Sequence, residues 1–178
     1  GPGNCLINDL TMLYFNKSYD KNGYIASSGK IKMKIINKIL QDSYLKKSYP
    51  KSLDRQYFIQ FLKNINDFGR PEDLICTISE LTAITIAKSL YLLPKYPINI
   101  LVSGGGAKNK FIMKRLEQHL KCKINLLKSN NFQPDFIESQ LIAFLAAKSI
   151  NNFPYTFPTT TGVIKPLSGG ELVIPTTK

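Results

Sequence analysis

The stretch ILVSGGGAKNKF, Ile100 to Phe111, constrains the fold of this chain more than any other. Ile100 to Ser103 are apolar or β-compatible and predict the end of a buried strand. Gly104, Gly105 and Gly106 follow, then Ala107 and Asn109, then Phe111, Ile112, Leu116 and Leu120 at helical spacing. Strand, glycine turn and helix in succession bring bare backbone and a helix N-terminus to one point. Glycine lets a backbone approach a ligand closely. A helix N-terminus adds unpaired N–H groups and partial positive charge, which suit phosphate or nucleotide. The spacing is neither that of a Walker A loop nor G-x-G-x-x-G. On these residues alone, a purely structural strand-to-helix turn is an equal reading.

Around this stretch the pattern alternates helix and strand. Leu6, Ile7, Leu10 and Leu13 recur at helical spacing behind Asn4, a good N-cap residue. The polar run from Phe15 to Ile31 carries the turn signal Asn22-Gly23 and predicts a short hairpin. Ile31, Ile35, Ile36, Ile39 and Leu40 predict a second helix, and Tyr57, Phe58, Phe61, Leu62 and Ile65 a third. Pro71, with Glu72 and Asp73 in the first turn, opens the longest helix, which runs to about Leu92 before Pro94 and Pro97. Ile124 to Leu127 predict a short strand. Pro134 and Asp135 start a helix ending near Ile150, and the tail predicts a late strand at Glu171 to Ile174. Helix–strand–helix–strand–helix argues an α/β fold in one domain of 178 residues.

The net charge of +12 raises the question of nucleic acid. Yet only three of the 24 basic residues are arginine, and the lysines are spread along the whole chain. Base readout favours clustered, bidentate arginine, so this pattern argues against nucleic acid and for compositional drift. No apolar run is long enough to span a bilayer. Cys5, Cys76 and Cys122 are few, odd in number and widely spaced, which indicates neither a disulfide framework nor a zinc site and fits a reducing cytosol. Cys122 between Lys121 and Lys123 is expected to be a buried, inert thiol. His119, the sole histidine, follows Arg115 at helical spacing and is expected on a solvated face.

Two glutamates sit in apolar helical runs, Glu80 in TISELTAITIA and Glu138 in PDFIESQLIAFLAA. A charge in such a setting must find a partner or shift its pKa. Glu80 reads as a snorkelling or capped surface residue. Glu138 has two readings of equal weight: a capping box with Asp135, or a functional carboxylate.

Taken in order, seven segments resemble the anhydro-N-acetylmuramic acid kinases of bacterial cell-wall recycling. GPGNCLIND is similar to that family's D-T-G-P-G-N segment and the helix after it, and DKNGYIASSGKI to D-x-x-G-x-x-A-x-x-G. PKSLDRQYF resembles P-K-S-T-G-R-E-x-F, and PEDLICTISELTAITIA resembles P-x-D-x-x-A-T-L-x-x-L-T-A-x-x-I-A. SGGGAKNKFIMKRL is similar to G-G-G-A-x-N-x-x-L-M-x-R-L, PDFIESQLIAFLA to D-x-x-E-A-x-A-F-A-W-L-A, and FPYTFPTTTGV to L-P-x-N-L-P-x-V-T-G-A. The resemblance implies a cytoplasmic bacterial enzyme that uses ATP with Mg2+. It opens the 1,6-anhydro ring of anhydro-N-acetylmuramic acid with water and phosphorylates the sugar to N-acetylmuramic acid 6-phosphate.

The implied fold is the two-lobed actin, Hsp70 and sugar-kinase (ribonuclease H-like) architecture, with residues 1–178 as one C-terminal lobe and the N-terminal lobe absent. The resemblance places Gly104, Gly105, Gly106 and Asn109 beside the nucleotide, Gly1, Gly3 and Asn4 in the active-site wall, and Glu138 near the sugar. It leaves a homodimer open. Its water-activating aspartate falls before Gly1, so no catalytic residue is expected within the chain, and activity is expected only with the other lobe. Asp54, Gln56, Ser139 and Phe144 depart from the family pattern near the sugar-side motifs. A non-catalytic nucleotide- or sugar-binding remnant is the alternative, followed by a basic nucleic-acid-binding module.

Overall fold

The computed structural model describes residues 2–63, 65, 68–127 and 136–174. They divide into two compact units, residues 1–47 with 53–128, and residues 48–52 with 129–178. In the first unit, helices α1 (Cys5–Phe15), α2 (Tyr24–Ser28), α3 (Met33–Ile39), α4 (Ser43–Lys46), α5 (Arg55–Lys63), α6 (Pro71–Leu90) and α7 (Lys110–His119) accompany strands β1 (Asn99–Val102) and β2 (Lys123–Leu126). The strands pair in parallel, Asn99 opposite Lys123 and Val102 opposite Leu126, with α7 as the crossover. This mixture is of the α/β class.

Helix α6 is the centre of this unit. It is apolar on nearly every side, as expected of a helix enclosed by others. Leu74, Ile75, Ile78, Leu81, Ala83 and Ala87 are buried with Leu6, Ile7 and Leu10 of α1, Ala26 of α2, Ile36 and Ile39 of α3, and Ile112 and Leu116 of α7. Pro71 stands in its first turn with Glu72 and Asp73, as the sequence predicts. The polar residues of α6 tie down other segments. The buried carboxylate of Asp73 accepts the Lys30 N–H at 2.8 Å and pairs with the Lys32 ammonium at 3.3 Å. Thr77 Oγ1 accepts the Lys32 N–H at 2.9 Å while donating to the Asp73 carbonyl.

The segment resembling D-x-x-G-x-x-A-x-x-G folds differently from the expected hairpin. Asn22 and Gly23 do turn, both with left-handed φ of 57° and 73°, but the turn is a 3₁₀ segment, Lys21–Gly23, leading directly into α2. The reason is local and tertiary at once. Asp20 accepts the N–H groups of Ile25 at 2.8 Å and Ala26 at 3.0 Å, which starts a helix where a strand was expected. Gly23 then packs directly on Asn109 and Phe111, and Gly29 on the Glu72 carbonyl, both too close for a Cβ atom. The motif residues are therefore contact points for α2 between α6 and α7.

Three further expectations change. β1 is not buried: Asn99 and Leu101 face solvent, Ile100 and Val102 are half-buried, and Ser103 lies outside the strand. Within a described sheet of two strands, one face packs on helices and the other is open. Leu13 is 70% exposed despite its spacing with Leu10. Asp54, in place of the family's glycine, accepts the Gln56 N–H at 2.7 Å and starts α5, a natural role for aspartate.

In the second unit, α8 (Ile137–Ile150) and the short α9 (Pro158–Thr161) are the described helices. Lys148 lies over the rings of Phe144 and Phe153 at 5.6 and 5.5 Å. Residues 171–174 form no strand. The tail pairing lies earlier, as an antiparallel bridge between Thr156 and Leu167. Pro134 and Asp135, the expected start of α8, lie outside the described residues, and its described first turn follows Phe136.

The Lys30 N–H bond holds Asp73 below the usual carboxylate range, against the opposing effect of burial and with help from Lys32. Stability from a depressed carboxylate is present above its unfolded value, about 3.9, and is lost as pH falls through the lower folded value. Asp73→Asn is therefore expected to lower the urea midpoint at pH 7, with the gap to the parent closing below about pH 4. A gap that stays constant from pH 7 to pH 3 would remove Asp73 from this role.

Candidate functional site

Three separated segments of the first unit converge on one cleft of about 460 Å³, lined by Asn4, Ile7, Asn8, Ser18, Tyr19, Asp20, Lys21, Asn22, Gly105, Lys108 and Asn109. The volume falls within the usual range for small-molecule sites, about 300–1,000 Å³. The first wall is the start of α1. The Gly3 carbonyl accepts the Thr82 hydroxyl of α6 at 3.0 Å, which pins the turn that presents Asn4. Asn4 does not cap α1 through its side chain, as its sequence position suggests. Its amide lies against the glycine turn instead, within 3.6 Å of where a Cβ of Gly106 would sit.

The second wall is the glycine turn itself. Gly104 holds φ 77° and ψ −175°, a conformation essentially confined to glycine. This reverses the chain out of β1 into a 3₁₀ turn, Gly105–Lys108, closed by the Ala107 N–H on the Gly104 carbonyl at 3.1 Å and the Asn109 N–H on the Gly106 carbonyl at 3.0 Å. The first N–H groups of such a turn have no partner within it. Asn109 is buried and caps α7, its Oδ1 accepting the Ile112 N–H at 3.1 Å. That leaves its amide NH₂ as a donor at the cleft. The third wall is the loop from Ser18 to Asn22. Lys21 and Lys108 bring two cations to the lining, and both oxygens of its carboxylate, Asp20, are engaged by backbone N–H groups. Backbone and amide donors with ammonium groups, and no uncommitted carboxylate, form a lining suited to an anionic ligand.

Asn4, Gly105 and Asn109 thus share one cleft, with Gly3, Gly104 and Gly106 holding the lining in place. Gly1 lies outside the described residues. Glu138 belongs to the second unit, where it is exposed in the first turn of α8. Sequence reading did not assign Asn8, Ser18, Tyr19, Lys21 or Lys108 to the site. The signal that could have found most of the third wall was the DKNG segment, whose turn was legible but whose destination was not.

Behind the glycine turn, Glu80 of α6 corrects the sequence expectation. It is not a surface residue but 2% exposed, and its carboxylate binds two side chains of α7. Arg115 donates to both carboxylate oxygens, Nε to Oε2 and NH2 to Oε1, the latter at 2.6 Å. His119 Nε2 lies 2.8 Å from Oε1, so the histidine is half-buried and partnered, not on a solvated face. Burial pushes Glu80 upward, but the hydrogen bonds and charge of Arg115 and His119 outweigh it and hold the carboxyl below its ordinary value. The same bond raises Arg115. Cys76, on the same helix, is pushed up to about 11 by burial and the nearby Glu80 charge, an inert thiol. Cys122, expected to be buried, is half-exposed. Among the described residues no cluster of His, Cys, Asp and Glu could hold a metal ion, and no helix is long and apolar enough to cross a membrane.

An α/β unit thus carries a glycine-turn cleft of small-molecule size with a lining suited to anions. The chain matches the family model described as anhydro-N-acetylmuramic acid kinase across residues 1–175, and it belongs to that family. It is similar to proteins of that description from Roseobacter denitrificans (31% identical, covering 99% of this chain and 47% of the relative). The same holds for Rhizobium rhizogenes (36% identical, 97% and 46%) and Methylorubrum populi (35% identical, 96% and 44%). The chain spans about half the length of these curated relatives.

Gly104 and Gly105 separate backbone from contact effects. Gly104→Ala is expected to destabilise the protein by more than about 1 kcal/mol, because its φ is positive. Gly105→Ala meets only Asn4 Nδ2, 3.9 Å away, and is expected to change urea stability by less than about 0.5 kcal/mol. Equal losses at the two positions would contradict this account of the turn.

Proposed function

We propose that this chain is the C-terminal lobe of an ATP-dependent kinase of 1,6-anhydro-N-acetylmuramic acid, with the actin and sugar-kinase architecture that the resemblance implies, acting in the bacterial cytoplasm. The observation that carries the reading is the convergence of Asn4, Gly105 and Asn109 on one cleft, since these residues come from two of the motifs shared with the family. The cleft takes the nucleotide. N–H groups at the start of the Gly105–Lys108 turn, with no partner within it, and the Asn109 amide donate to phosphate or ribose oxygens, and Lys21 offsets negative charge. Magnesium, when bound with ATP, neutralises phosphate charge. The described cleft lining offers it no free carboxylate.

In the reaction, water adds at the anomeric carbon, the bond from that carbon to the bridging oxygen breaks, and that oxygen takes the terminal phosphoryl group of ATP. The water's proton passes to a general base, and ADP leaves. Glu138, an exposed carboxylate with no ion pair among the described residues, is the sugar-side acceptor of hydroxyl groups. Because the relatives are about twice as long, turnover needs both lobes.

The test is a phosphotransfer assay with anhydro-N-acetylmuramic acid, ATP and Mg2+, using this chain combined with the N-terminal half of a relative. Activity is expected from the pair and not from the chain alone. In the active pair, Gly105→Val is expected to raise KM for ATP with little loss of Tm. Glu138→Gln is expected to lower kcat/KM for the sugar by about 10-fold or more, the worth of a charged hydrogen bond. No activity from a folded pair, or an unchanged KM for ATP in Gly105→Val, would overturn the assignment.

A further inference from the structure

Glu80 is the buried charge that the proposed reaction does not use. Burying it gains nothing over an apolar residue of equal size, since ion pairs in an interior rarely outdo good packing. It does supply geometry. Ile112 and Leu116 join α7 to the core through contacts that tolerate sliding and rotation. The carboxylate of Glu80 gripping Nε and NH2 of Arg115, with His119 on the same oxygen, fixes both the rotation and the height of α7. A second bond from Arg115 to Gln118 holds the guanidinium in that orientation. Arg115 lies six residues from Asn109, about 9 Å along a rigid helix at 1.5 Å per residue. Two residues beyond Glu80, Thr82 pins the Gly3 carbonyl beside Asn4. One short stretch of α6 therefore sets two of the three walls of the cleft.

We propose that Glu80, acting through Arg115 and His119, is a positioning residue that sets α7, and with it Asn109 and the glycine turn, against Asn4 in the arrangement that lines the nucleotide cleft. The proposal rests on the reading that this cleft binds nucleotide. Three variants test it: Glu80→Gln, Arg115→Lys, which keeps the charge and loses the fork, and Ile75→Val as a buried control on the same helix away from the clamp. Two quantities are read besides Tm: the Kd for ATP by calorimetry, and amide hydrogen exchange at Gly105 to Phe111 without nucleotide.

Glu80→Gln and Arg115→Lys are expected to weaken ATP binding by about 5- to 150-fold, the range of ordinary coupling between sites, and to speed exchange at Gly105 to Asn109. Ile75→Val is expected to lower Tm with both readouts unchanged. If the clamp variants lower Tm but leave Kd and exchange like those of Ile75→Val, Glu80 is structural only and the proposal falls. If Glu80→Gln does not fold, Arg115→Lys decides alone. A parent protein that binds no ATP would sink the nucleotide reading, and exchange at the turn would then decide whether the clamp sets it.

Discussion

A helix enclosed by its own domain must find partners for the charged and hydroxyl groups it buries, and α6 does so for most of them by holding other segments in place, the Ser79 hydroxyl being the one buried side-chain group without a partner among the described residues. Asp73 and Thr77 take the N–H groups of Lys30 and Lys32, Thr82 takes the Gly3 carbonyl, and Glu80 takes Arg115 and His119. Unpaired, each would cost free energy on burial. Paired, each converts an apolar packing contact into a defined register. The apolar side chains of α6 account for why the unit is compact. Its polar ones account for why α1, α2 and α7 stand where they do.

The cleft follows from that register. Its walls come from the start of α1, the loop before α2 and the turn before α7, which are the segments α6 ties down directly or through α2. None of these walls is a catalytic device by itself. Together they offer backbone and amide donors with two lysines around a space of nucleotide size. That division of labour suits a phosphoryl-transfer enzyme, where the protein's task is mainly positioning and charge stabilisation. In the second unit, Glu138 is exposed at the head of a helix whose apolar residues are largely exposed.

Much of this was legible in the sequence because it depends on local rules. Pro71 with Glu72 and Asp73 marked α6, the spacing of Phe111, Ile112, Leu116 and Leu120 marked α7, and both strands fell within a residue of their expected places. The unread parts depend on partners far apart in the chain. Asn22-Gly23 signalled a turn, but only the Asp20 carboxylate and the close approach of Gly23 to Phe111 make it the start of a helix. Glu80 and the Arg115–His119 pair were each odd in their setting, yet 35 residues separate the glutamate from its arginine and no spacing rule joins them. The strand expected at Glu171 to Ile174 failed for the opposite reason: its residues have strand propensity but no described partner to pair with.

The central claim is that the cleft lined by Asn4, the loop from Ser18 to Asn22 and the glycine turn is where nucleotide binds. A crystal structure of the chain with a non-hydrolysable ATP analogue tests it most directly. The account predicts phosphate or ribose oxygens about 2.7–3.2 Å from the Gly105 or Gly106 N–H groups and the Asn109 amide, with Asn4 beside them. An analogue bound elsewhere on the protein, with that cleft free at saturating concentration, would contradict it.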